Sequence, residues 1–404
     1  MRGADRGPRR VLLVGDFGGG NSGNDSSLEV FARAVCARLP DAKIVVLGRN
    51  PETITNRFGF EAHPLYDRPR TGRLGSLLGR LTDPVRYARI VRSCQAAVVP
   101  GMGAMEGTMG LHVFGMRYVI LLISLTCRLL RVPFGLVGIG VSPADSVAAR
   151  AVGRWAGRLA TFRSYRDEFS RSSAIAFGLG RPSDQVYADS VFLEEAPVLP
   201  IPDGPDHVGL GVVTFFGSHP TTSSEVNDAA NRRYVERMVR LGTALVNSGV
   251  DVTVLTGGAS DIPVVLAVAA GIRAAQDDES RAGVTSFTGL DRHDLLELMS
   301  RLHLVAAAQY HSLVYSLMAG RPPVAMGYGQ KAVEVATAAG FGRQAQLLDE
   351  FDVDRALADI KGLLNERAAA AERAQEACVR LRRLANGQVD AALSSLRLVT
   401  MGAH

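Results

Sequence analysis

The stretch that most constrains the fold reads LVAAAQYHSL and covers residues 304–313. An apolar, strand-like run ends at Ala308 and gives way to a polar triplet, after which an apolar pattern of helical spacing begins. His311 therefore lies where a strand passes into a helix, at the carboxyl edge of a sheet. Ligands bind at this edge in open α/β folds, and a helix N-terminus beside it favours anions. This position makes His311 the first candidate for chemistry.

Short apolar strands and amphipathic helices alternate over most of the chain. The predicted strands are residues 11–14, 44–47, 96–100 and 134–137 in the N-terminal half, and 208–214, 252–255, 285–287, 304–308 and 323–326 in the C-terminal half. Alternation of this kind predicts parallel sheets that are covered by helices on both faces.

A proline-rich linker divides this pattern into two parts. Residues 194–206 read EEAPVLPIPDGPD, with four prolines and one glycine. We expect an α/β fold with two Rossmann-like domains, residues 1–198 and 207–350, whose facing strand ends form a cleft for a ligand. Residues 351–404 are predicted to form a helical C-terminal segment, in which Asn386-Gly387 ends one helix before a last short one.

Composition narrows the classes of partner. The chain has 404 residues, of which 47% are hydrophobic and 21% charged, and its net charge is +5. This mild basic excess suits an anionic small ligand or a lipid surface, and no stripe of interleaved basic and aromatic residues indicates nucleic acid. The four cysteines are far apart and match no metal-ligand spacing, so we expect neither a metal nor a cofactor.

Hydropathy predicts a cytoplasmic protein. The apolar run near the N-terminus, residues 11–14, is too short for a signal peptide, and no stretch approaches the ~20 apolar residues of a bilayer span. Residues 68–92 are rich in arginine and partly apolar. They are interpreted as a solvated helical face, with a peripheral contact to the inner face of the membrane as the alternative.

The first glycine-rich loop, residues 15–25, reads GDFGGGNSGND and joins a strand to a helix. Its glycines let the backbone approach a ligand and direct N–H groups at an anion. The loop formally satisfies G-x-G-x-x-G, but the dinucleotide fingerprint begins directly after its strand, and the second strand is followed by Arg49 rather than an acidic residue. A ligand loop is therefore favoured over a nicotinamide site.

Two further motifs carry polar side chains. Residues 101–107 read GMGAMEG, in which Glu106 is available to bond a hydroxyl or act as a base; the alternative is a tight turn with a solvated glutamate. Residues 164–170 read SYRDEFS, in which Arg166 is suited to bidentate binding of a carboxylate or phosphate, unless it forms a surface ion pair. Lys331 follows the strand after His311 and could reach the same sheet edge.

Taken together, these motifs resemble the polysaccharide pyruvyl transferase family over about residues 11–342. The resemblance rests on the order and spacing of several segments, namely GNSGND at 20–25, VVPGMG at 98–103, GIGVSP at 138–143, YRDEFS at 165–170, ADSV at 188–191 and the block that runs from Gln309-Tyr310-His311-Ser312 through Gly320 to Tyr328 and Lys331.

The resemblance implies a fold similar to that of two-domain GT-B glycosyltransferases and an enzyme of the transferase class. Members of the family move the enolpyruvyl-derived group of phosphoenolpyruvate to hydroxyls of a sugar-bearing acceptor, such as a polysaccharide precursor or a glycosylated metabolite. Phosphoenolpyruvate is then a co-substrate, and His311 transfers the proton. The implied donor-binding residues are Arg166, Gln309, Tyr310, Tyr328 and Lys331, and the implied acceptor-binding residues are Gly20, Asn21, Gly23, Asp25, Gly103 and Glu106.

One departure from the family pattern bears on the donor. The family usually has arginine where this chain has Gln309. Loss of a charge-assisted contact of ~1.5–3 kcal/mol would weaken binding of a dianionic donor roughly tenfold or more. Either Arg163 or another cation compensates, or the donor differs. The alternatives are a GT-B glycosyltransferase that uses a nucleotide sugar and a non-catalytic ligand-binding relative. The sequence predicts neither the acceptor nor the oligomeric state.

Overall fold

Parallel β-sheets form the centres of two compact units. The computed structural model describes residues 8–19, 22–66, 73–106, 115–143, 147–195, 200–217, 223–277, 282–290 and 292–399, and for residues 22 and 73–81 it describes the backbone only. The first unit contains the described residues up to Glu194 and those from Arg382 onward, and the second unit runs from Glu195 to Leu381.

The sheet of the first unit has seven parallel strands in the order β3-β2-β1-β4-β5-β6-β7. Its strands are β1 (Arg10–Val14), β2 (Lys43–Gly48), β3 (Glu61–Pro64), β4 (Ala96–Pro100), β5 (Phe134–Ile139), β6 (Phe162–Tyr165) and β7 (Gln185–Val186). The connecting helices are α1 (Ser22–Arg38), α2 (Pro51–Phe58), α3 (Arg73–Arg92), α4 (Met116–Leu130), α5 (Val147–Leu159) and α6 (Glu168–Ala176). The predicted α/β class is confirmed for this unit.

The sheet of the second unit has six parallel strands in the order β10-β9-β8-β11-β12-β13. Its strands are β8 (His207–Gly211), β9 (Asp251–Leu255), β10 (Val284–Phe287), β11 (Leu304–Ala307), β12 (Pro323–Gly327) and β13 (Ala345–Leu347). Its helices are α7 (Ser224–Val246), α8 (Ile262–Ala275), α9 (Arg292–Ser300), α10 (Tyr310–Met318), α11 (Gln330–Ala338), α12 (Val353–Asn365) and the start of α13 (Arg367–Ser395).

The central strands are apolar on both faces because helices cover both sides of each sheet. In the first unit, the four residues from Val11 to Val14 are fully buried, and so is every residue of β4 within a few per cent. In the second unit, Leu304 to Ala307 of β11 are equally inaccessible. Burial on both faces explains why these strands read as continuous apolar runs, which is the pattern that the sequence analysis used.

The predicted linker ends in a segment that is fixed to the second unit. The guanidinium of Arg321, which is fully buried, donates a hydrogen bond of 2.8 Å to the carbonyl oxygen of Pro200. The imidazole of His303 lies 3.0 Å from the carbonyl oxygen of Pro202. Burial lowers the pKa of Arg321, since little water reaches its charge. The boundary between the units therefore falls at Glu194, at the start of the predicted linker.

Several short strands were not predicted. These are β3, β6, β7 and β13, which have two to four residues each. Strand β3 reads EAHP and is only half-buried, and β13 reads AQL. Three of the four are edge strands and β6 is next to an edge, where polar residues are tolerated and the alternation of apolar side chains is weak.

Strand β8 is shorter than predicted, because it ends at Gly211 rather than at Thr214. Beyond it, the backbone N–H of Thr214 donates to the carboxylate of Asp261 at 2.9 Å, and that of Phe215 donates to the amide oxygen of Asn231 at 3.0 Å. Side chains from distant segments thus replace the strand partner, and the chain turns away from the sheet.

The predicted break at Asn386-Gly387 is wrong, since α13 runs without interruption from Arg367 to Ser395. The side chain of Asn386 donates back to the carbonyl oxygen of Arg382 at 3.0 Å, and Arg38 of α1 donates to the Asn386 amide oxygen at 2.9 Å. Packing against α1 therefore overrides the weak helix propensity of the pair. The structure also divides the C-terminal segment, because α12 belongs to the second unit and the residues from Arg382 to the first.

Two further properties follow from the distribution of side chains. All four cysteines are free thiols, and burial raises the pKa of Cys127 to about 12. None of the helices within the described ranges is long and apolar enough to cross a lipid bilayer.

Two helical glycines provide a stability test of these assignments. A Cβ on Gly387 would meet no atom within 4 Å, whereas a Cβ on Gly157 of α5 would overlap the carbonyl oxygen of Leu179. Gly387→Ala should raise the free energy of unfolding by up to about 1 kcal/mol, because alanine is the better helix former. Gly157→Ala should lower it by about 1–3 kcal/mol through overpacking.

Urea denaturation of both variants measures these changes. A destabilising effect of Gly387→Ala would contradict a continuous helix at this position.

Candidate functional site

Several predicted site residues of the described chain lie where the strand order of each sheet reverses. In the first sheet the chain moves from β1 outward to β2 and β3, and then from β4 outward to β7. In the second sheet the reversal lies between β8 and β11. Ligands of open α/β sheets bind outside the carboxyl ends of the strands at such points. The loops after β1 and β4 and the start of α10, which follows β11, occupy these positions.

In the second unit, α10 begins directly at this edge. Gln309 is its N-cap residue, but the amide does not cap the backbone; its oxygen accepts a hydrogen bond of 3.2 Å from the hydroxyl of Ser312. No acidic residue lies in the first turn. The positive end of the helix dipole is therefore not neutralised by a carboxylate of the same turn, and this favours an anion at the helix start.

His311 lies in this first turn between two tyrosines. Its ring meets that of Tyr310 edge to face, with centroids 5.3 Å apart, and lies 6.2 Å from the ring of Tyr315. Both tyrosines are buried, while His311 is partly exposed. Packing restricts the orientation of the imidazole and leaves part of it accessible, as an acid or base requires. The structure thus places His311 at the predicted sheet edge.

The start of α11 lies beside that of α10, because β12 neighbours β11 in the sheet. Lys331 is in the first turn of α11, and its ammonium is 5.2 Å from the ring centroid of Tyr328. A cation at a helix N-terminus opposes the helix dipole, so its placement there favours a compensating anion nearby. The predicted proximity of His311 and Lys331 to one sheet edge agrees with the structure.

A buried carboxylate at the same edge was missed by the sequence analysis. Asp261 is only 8% exposed and accepts hydrogen bonds from the N–H of Thr214 and, at 3.3 Å, from the hydroxyl of Thr256. Its Oδ2 and the Nε2 of Gln309 lie 2.8 and 3.7 Å from the Cβ position of Gly258. Asp261 therefore fixes the loops after β8 and β9 next to Gln309. In the sequence, the indication of this carboxylate is its place in the segment GGASD, residues 257–261, shortly after a predicted strand.

In the first unit, the glycine-rich loop is held from inside by Asp25. This carboxylate is 4% exposed and accepts a hydrogen bond of 2.7 Å from the N–H of Gly18. Burial raises the pKa of Asp25, although the bond from Gly18 and the charge of Arg57 at 3.7 Å oppose the shift. Asp25 therefore shapes the loop. Gly23 is buried at the start of α1. The predicted acceptor residues Gly20 and Asn21 lie outside the described residues.

Arg49, which follows the second strand in place of an acidic residue, pairs with Asp16 of the loop after β1. The two side chains form a bidentate contact with N–O distances of 2.5 and 2.9 Å. This pairing raises the pKa of Arg49, because the carboxylate stabilises the charged form. The pair does not favour a dinucleotide site after β2.

The side chain of Arg166 is almost completely buried and is surrounded by three carboxylates. Its Nη2 donates to Glu106, its Nη1 lies 3.3 Å from Asp189 Oδ2, and its Nε lies 3.4 Å from Asp167 Oδ2. Asp167 also caps α6, and Asp189 caps the 3₁₀ turn Ser190–Leu193. Arg166 thus joins three loops at the carboxyl edge of the first sheet. It forms a buried network rather than the surface ion pair considered above.

Glu106 is the most accessible member of this cluster, with 22% of its side chain exposed. A Cβ on Gly140 would collide with its Oε1, and one on Gly103 would lie 2.7 Å from its Oε2. Two glycines therefore leave room for the carboxylate, and Arg166 fixes its orientation. Gly103 thus contributes to the site because its lack of a side chain leaves room for the Glu106 carboxylate.

Arg163, the sequence-based candidate to replace the missing donor arginine, is engaged elsewhere. Its guanidinium contacts Asp184 at 3.0 and 3.2 Å and donates to the carbonyl oxygens of Gly157 and Ala160. Its side chain is 6% exposed. It therefore holds α5 and the β6–β7 region together.

In the described part of the chain, no three His, Cys, Asp or Glu side chains are arranged to hold a metal ion.

Comparisons with solved structures identify the fold. A glycosyltransferase from Rickettsia africae is 8% identical to this chain and has a TM-score of 0.64. The superposition covers 98% of this chain and 100% of the glycosyltransferase. The UDP-GlcNAc 2-epimerase from Neisseria meningitidis, solved with UDP-GlcNAc bound, is 11% identical, with a TM-score of 0.61 and coverage of 97% and 100%. MurG from Acinetobacter baumannii is 14% identical, with a TM-score of 0.56 and coverage of 97% and 100%. These similarities confirm the predicted GT-B-like fold.

A comparison with protein families extends this result from fold to family. No curated protein sequence matches the chain at a significant level. A family profile described as polysaccharide pyruvyl transferase, however, matches residues 21–330, which is well over half of the chain and includes the end of the loop after β1, Glu106, Arg166 and His311. The chain therefore belongs to the polysaccharide pyruvyl transferase family, a family of transferases.

Proposed function

We propose that this transferase moves the enolpyruvyl-derived group of phosphoenolpyruvate to hydroxyls of a sugar-bearing acceptor. The observation that carries the proposal is the pairing of two helix starts at the carboxyl edge of the second sheet. His311 lies in the first turn of α10 and Lys331 in that of α11, and the strands before these helices are neighbours. Membership of the family supports the class of reaction.

The electrostatics of this edge suit the donor. Phosphoenolpyruvate carries a phosphate and a carboxylate, and it needs cations or helix N-termini to replace water. Neither α10 nor α11 has an acidic residue in its first turn, and Lys331 adds a positive charge there. Tyr328 and Tyr310 flank the two helix starts. We assign donor binding to this edge.

The chemistry requires one group that moves a proton. When an acceptor hydroxyl attacks C2 of the donor, the methylene carbon gains a proton and becomes a methyl group. A second hydroxyl then attacks C2, inorganic phosphate leaves, and the product is a cyclic ketal. Of the two hydroxyl protons, one is added to the methylene carbon and the other leaves with the inorganic phosphate. The partly exposed imidazole of His311 is suited to this transfer.

On the acceptor side, we assign the binding of a sugar hydroxyl to Glu106. Its carboxylate lies at the reversal of strand order in the first sheet and is oriented by Arg166. We therefore revise the role of Arg166 from donor binding to positioning. The negative charge of the three neighbouring carboxylates already exceeds the single positive charge of Arg166, so a further anion would gain little binding energy there.

A second candidate function is supported by Gln309 and Asp261. Gln309 brings no charge, and Asp261 places a buried carboxylate next to it, which opposes the binding of a dianion. A carboxylate and an amide are well suited to hydroxyl groups. A nucleotide-sugar donor is therefore the alternative, and a solved structure of similar fold contains UDP-GlcNAc.

The role of His311 can be tested by comparison with a histidine in the same helical position. His311→Ala should lower the rate of phosphate release from phosphoenolpyruvate by about 10²–10⁴-fold, because a general acid or base is lost. His293→Ala, which replaces the exposed second residue of α9, is the matched control and should retain activity. The assay uses a panel of sugar glycosides that offer pairs of hydroxyls.

Equal rates for the two variants, with unchanged melting temperatures, would exclude proton transfer by His311.

The nature of the donor can be tested by restoring the family's charge. Gln309→Arg should tighten phosphoenolpyruvate binding roughly tenfold, since a charge-assisted bond is gained. Gln344→Arg adds the same charge before β13, at the opposite edge of the sheet, and should leave the affinity unchanged. Isothermal titration calorimetry measures both. Unchanged or weaker binding by Gln309→Arg would count against phosphoenolpyruvate, and a thermal shift with UDP alone would favour the second candidate.

The positioning role of Arg166 can be tested through stability. Arg166→Leu leaves Glu106, Asp167 and Asp189 buried or half-buried without their shared cation, and should cost about 3–5 kcal/mol. Arg49→Leu breaks the exposed pair with Asp16 and should cost at most about 1 kcal/mol.

Urea denaturation separates the two variants. Equal stabilities, together with a raised KM for phosphoenolpyruvate in Arg166→Leu alone, would instead support a donor-binding role.

A further inference from the structure

Three helices of the first unit end side by side at the amino end of its sheet. Helices α3, α4 and α5 run antiparallel to the strands that follow them, β4, β5 and β6, so their last turns lie near the amino ends of these strands. Helix α4 packs between α3 and α5. This location is opposite to the carboxyl edge that carries Glu106 and Arg166.

The C-terminal halves of α4 and α5 expose apolar side chains. Leu129 is 83% exposed and Trp155 is 54% exposed, while Leu125 and Leu130 are 40% and 38% exposed. Leu125 and Leu129 are four residues apart in α4 and so lie on one face. Single exposed leucines are common, but three exposed leucines on α4 and a tryptophan on the helix packed against it form an apolar surface that water solvates poorly.

Arginines surround these apolar side chains. Six arginines near the ends of the three helices are exposed. Arg89, Arg92, Arg128 and Arg158 lie in last turns, Arg131 is the C-cap residue of α4, and Arg154 lies one turn before Arg158. In the described part of the chain, none of the six is within 4.0 Å of a carboxylate oxygen of Asp or Glu, whereas nearby acids are already paired, as Asp184 is with Arg163. Helices α4 and α5 contain no acidic residue. We call the six arginines with Leu125, Leu129, Leu130 and Trp155 the α3–α5 patch.

The charge pattern of α5 is unfavourable in water. Arg154 and Arg158 are four residues apart, and like charges at this spacing repel. The guanidinium of Arg158 lies 5.7 Å from the ring centroid of Trp155, so cation and indole share one surface. An extended anionic surface with an apolar layer beneath it would relieve both the repulsion and the exposure of the leucines.

We propose that the α3–α5 patch binds an anionic phospholipid bilayer. Arginines contact lipid phosphates, leucines enter the boundary between headgroups and acyl chains, and tryptophan lies at the interface, where its amphipathic ring is favoured. Single-stranded nucleic acid stacks successive bases on several aromatic rings, and the patch has a single aromatic ring, Trp155, among aliphatic side chains, so a bilayer suits it better. The sequence-based expectation concerned residues 68–92, of which 68–72 and the side chains of 73–81 lie outside the described part of the chain. The α3–α5 patch takes only Arg89 and Arg92 from that segment, and its apolar side chains belong to α4 and α5. This inference does not depend on the proposed reaction.

Trp155 is the single tryptophan of the chain and reports on its own environment. Vesicles of phosphatidylcholine and phosphatidylglycerol in equal parts should shift its fluorescence emission to shorter wavelength and protect it from quenching by acrylamide. Vesicles of phosphatidylcholine alone should have little effect. Added salt should weaken the binding, since the lipid phosphates and the arginines are exposed to solvent.

Substitutions within the patch should weaken vesicle binding without affecting the fold, because the residues are exposed. Arg128→Gln and Arg158→Gln should each weaken it roughly fivefold, the equivalent of about 1 kcal/mol per basic residue. Leu129→Gln should also weaken it. The matched controls lie on exposed positions of the second unit, Arg232→Gln and Leu266→Gln, and should bind as the unchanged protein does.

Three results would overturn the proposal. The first is unchanged Trp155 emission with anionic vesicles, and the second is equal binding by the patch variants and the controls. The third is dimerisation of the unchanged protein in analytical ultracentrifugation that Leu129→Gln abolishes, because a second copy of the chain would then cover the patch. Melting temperatures verify that all variants are folded.

Discussion

The way in which parallel strands are connected determines where functional side chains can come together in this protein. Parallel strands cannot be joined by tight turns, so each strand is connected to the next strand of its sheet through a helix that returns across one face of the sheet. All strands of a sheet therefore end at the same edge, and each helix begins there with its positive end. His311 and Lys331 are separated by a whole helix and strand, yet both lie at this edge of the second sheet. Glu106 and the loop after β1 have the equivalent position in the first sheet.

Buried charge gives these edges their local geometry. A carboxylate removed from water must find donors, and the two units meet this requirement differently. Arg166 supplies a single guanidinium to three carboxylates, which ties together the loops after β4 and β6 and the segment before Ser190. Asp261 instead accepts from a backbone N–H and from hydroxyls, which ties the loops after β8 and β9. The first arrangement orients an accessible carboxylate, and the second places a negative charge beside Gln309.

The two ends of the first sheet have different surface chemistry. Its carboxyl end has carboxylates around a buried arginine, and its amino end has exposed arginines around leucines and a tryptophan. This separation follows from the direction of the helices: their first turns face the loops that form the site, and their last turns face away from it. Cations are also favoured in last turns by the helix dipole, so the fold accommodates an arginine-rich surface at that end at little cost.

The sequence by itself determined the α/β class, most of the central strands and the junction at His311. These features depend on runs of neighbouring residues, such as the apolar stretch before Gln309, and local periodicity records them. Only the tertiary structure decided the partners of Arg166, the contribution of Asp261, the short strands β3 and β13, and the continuity of α13 through Asn386. The carboxylates around Arg166 come from residues up to 60 positions away, and Arg38 contacts Asn386 from the other end of the chain. Contacts of this kind depend on packing between distant segments, which no local pattern of residues encodes.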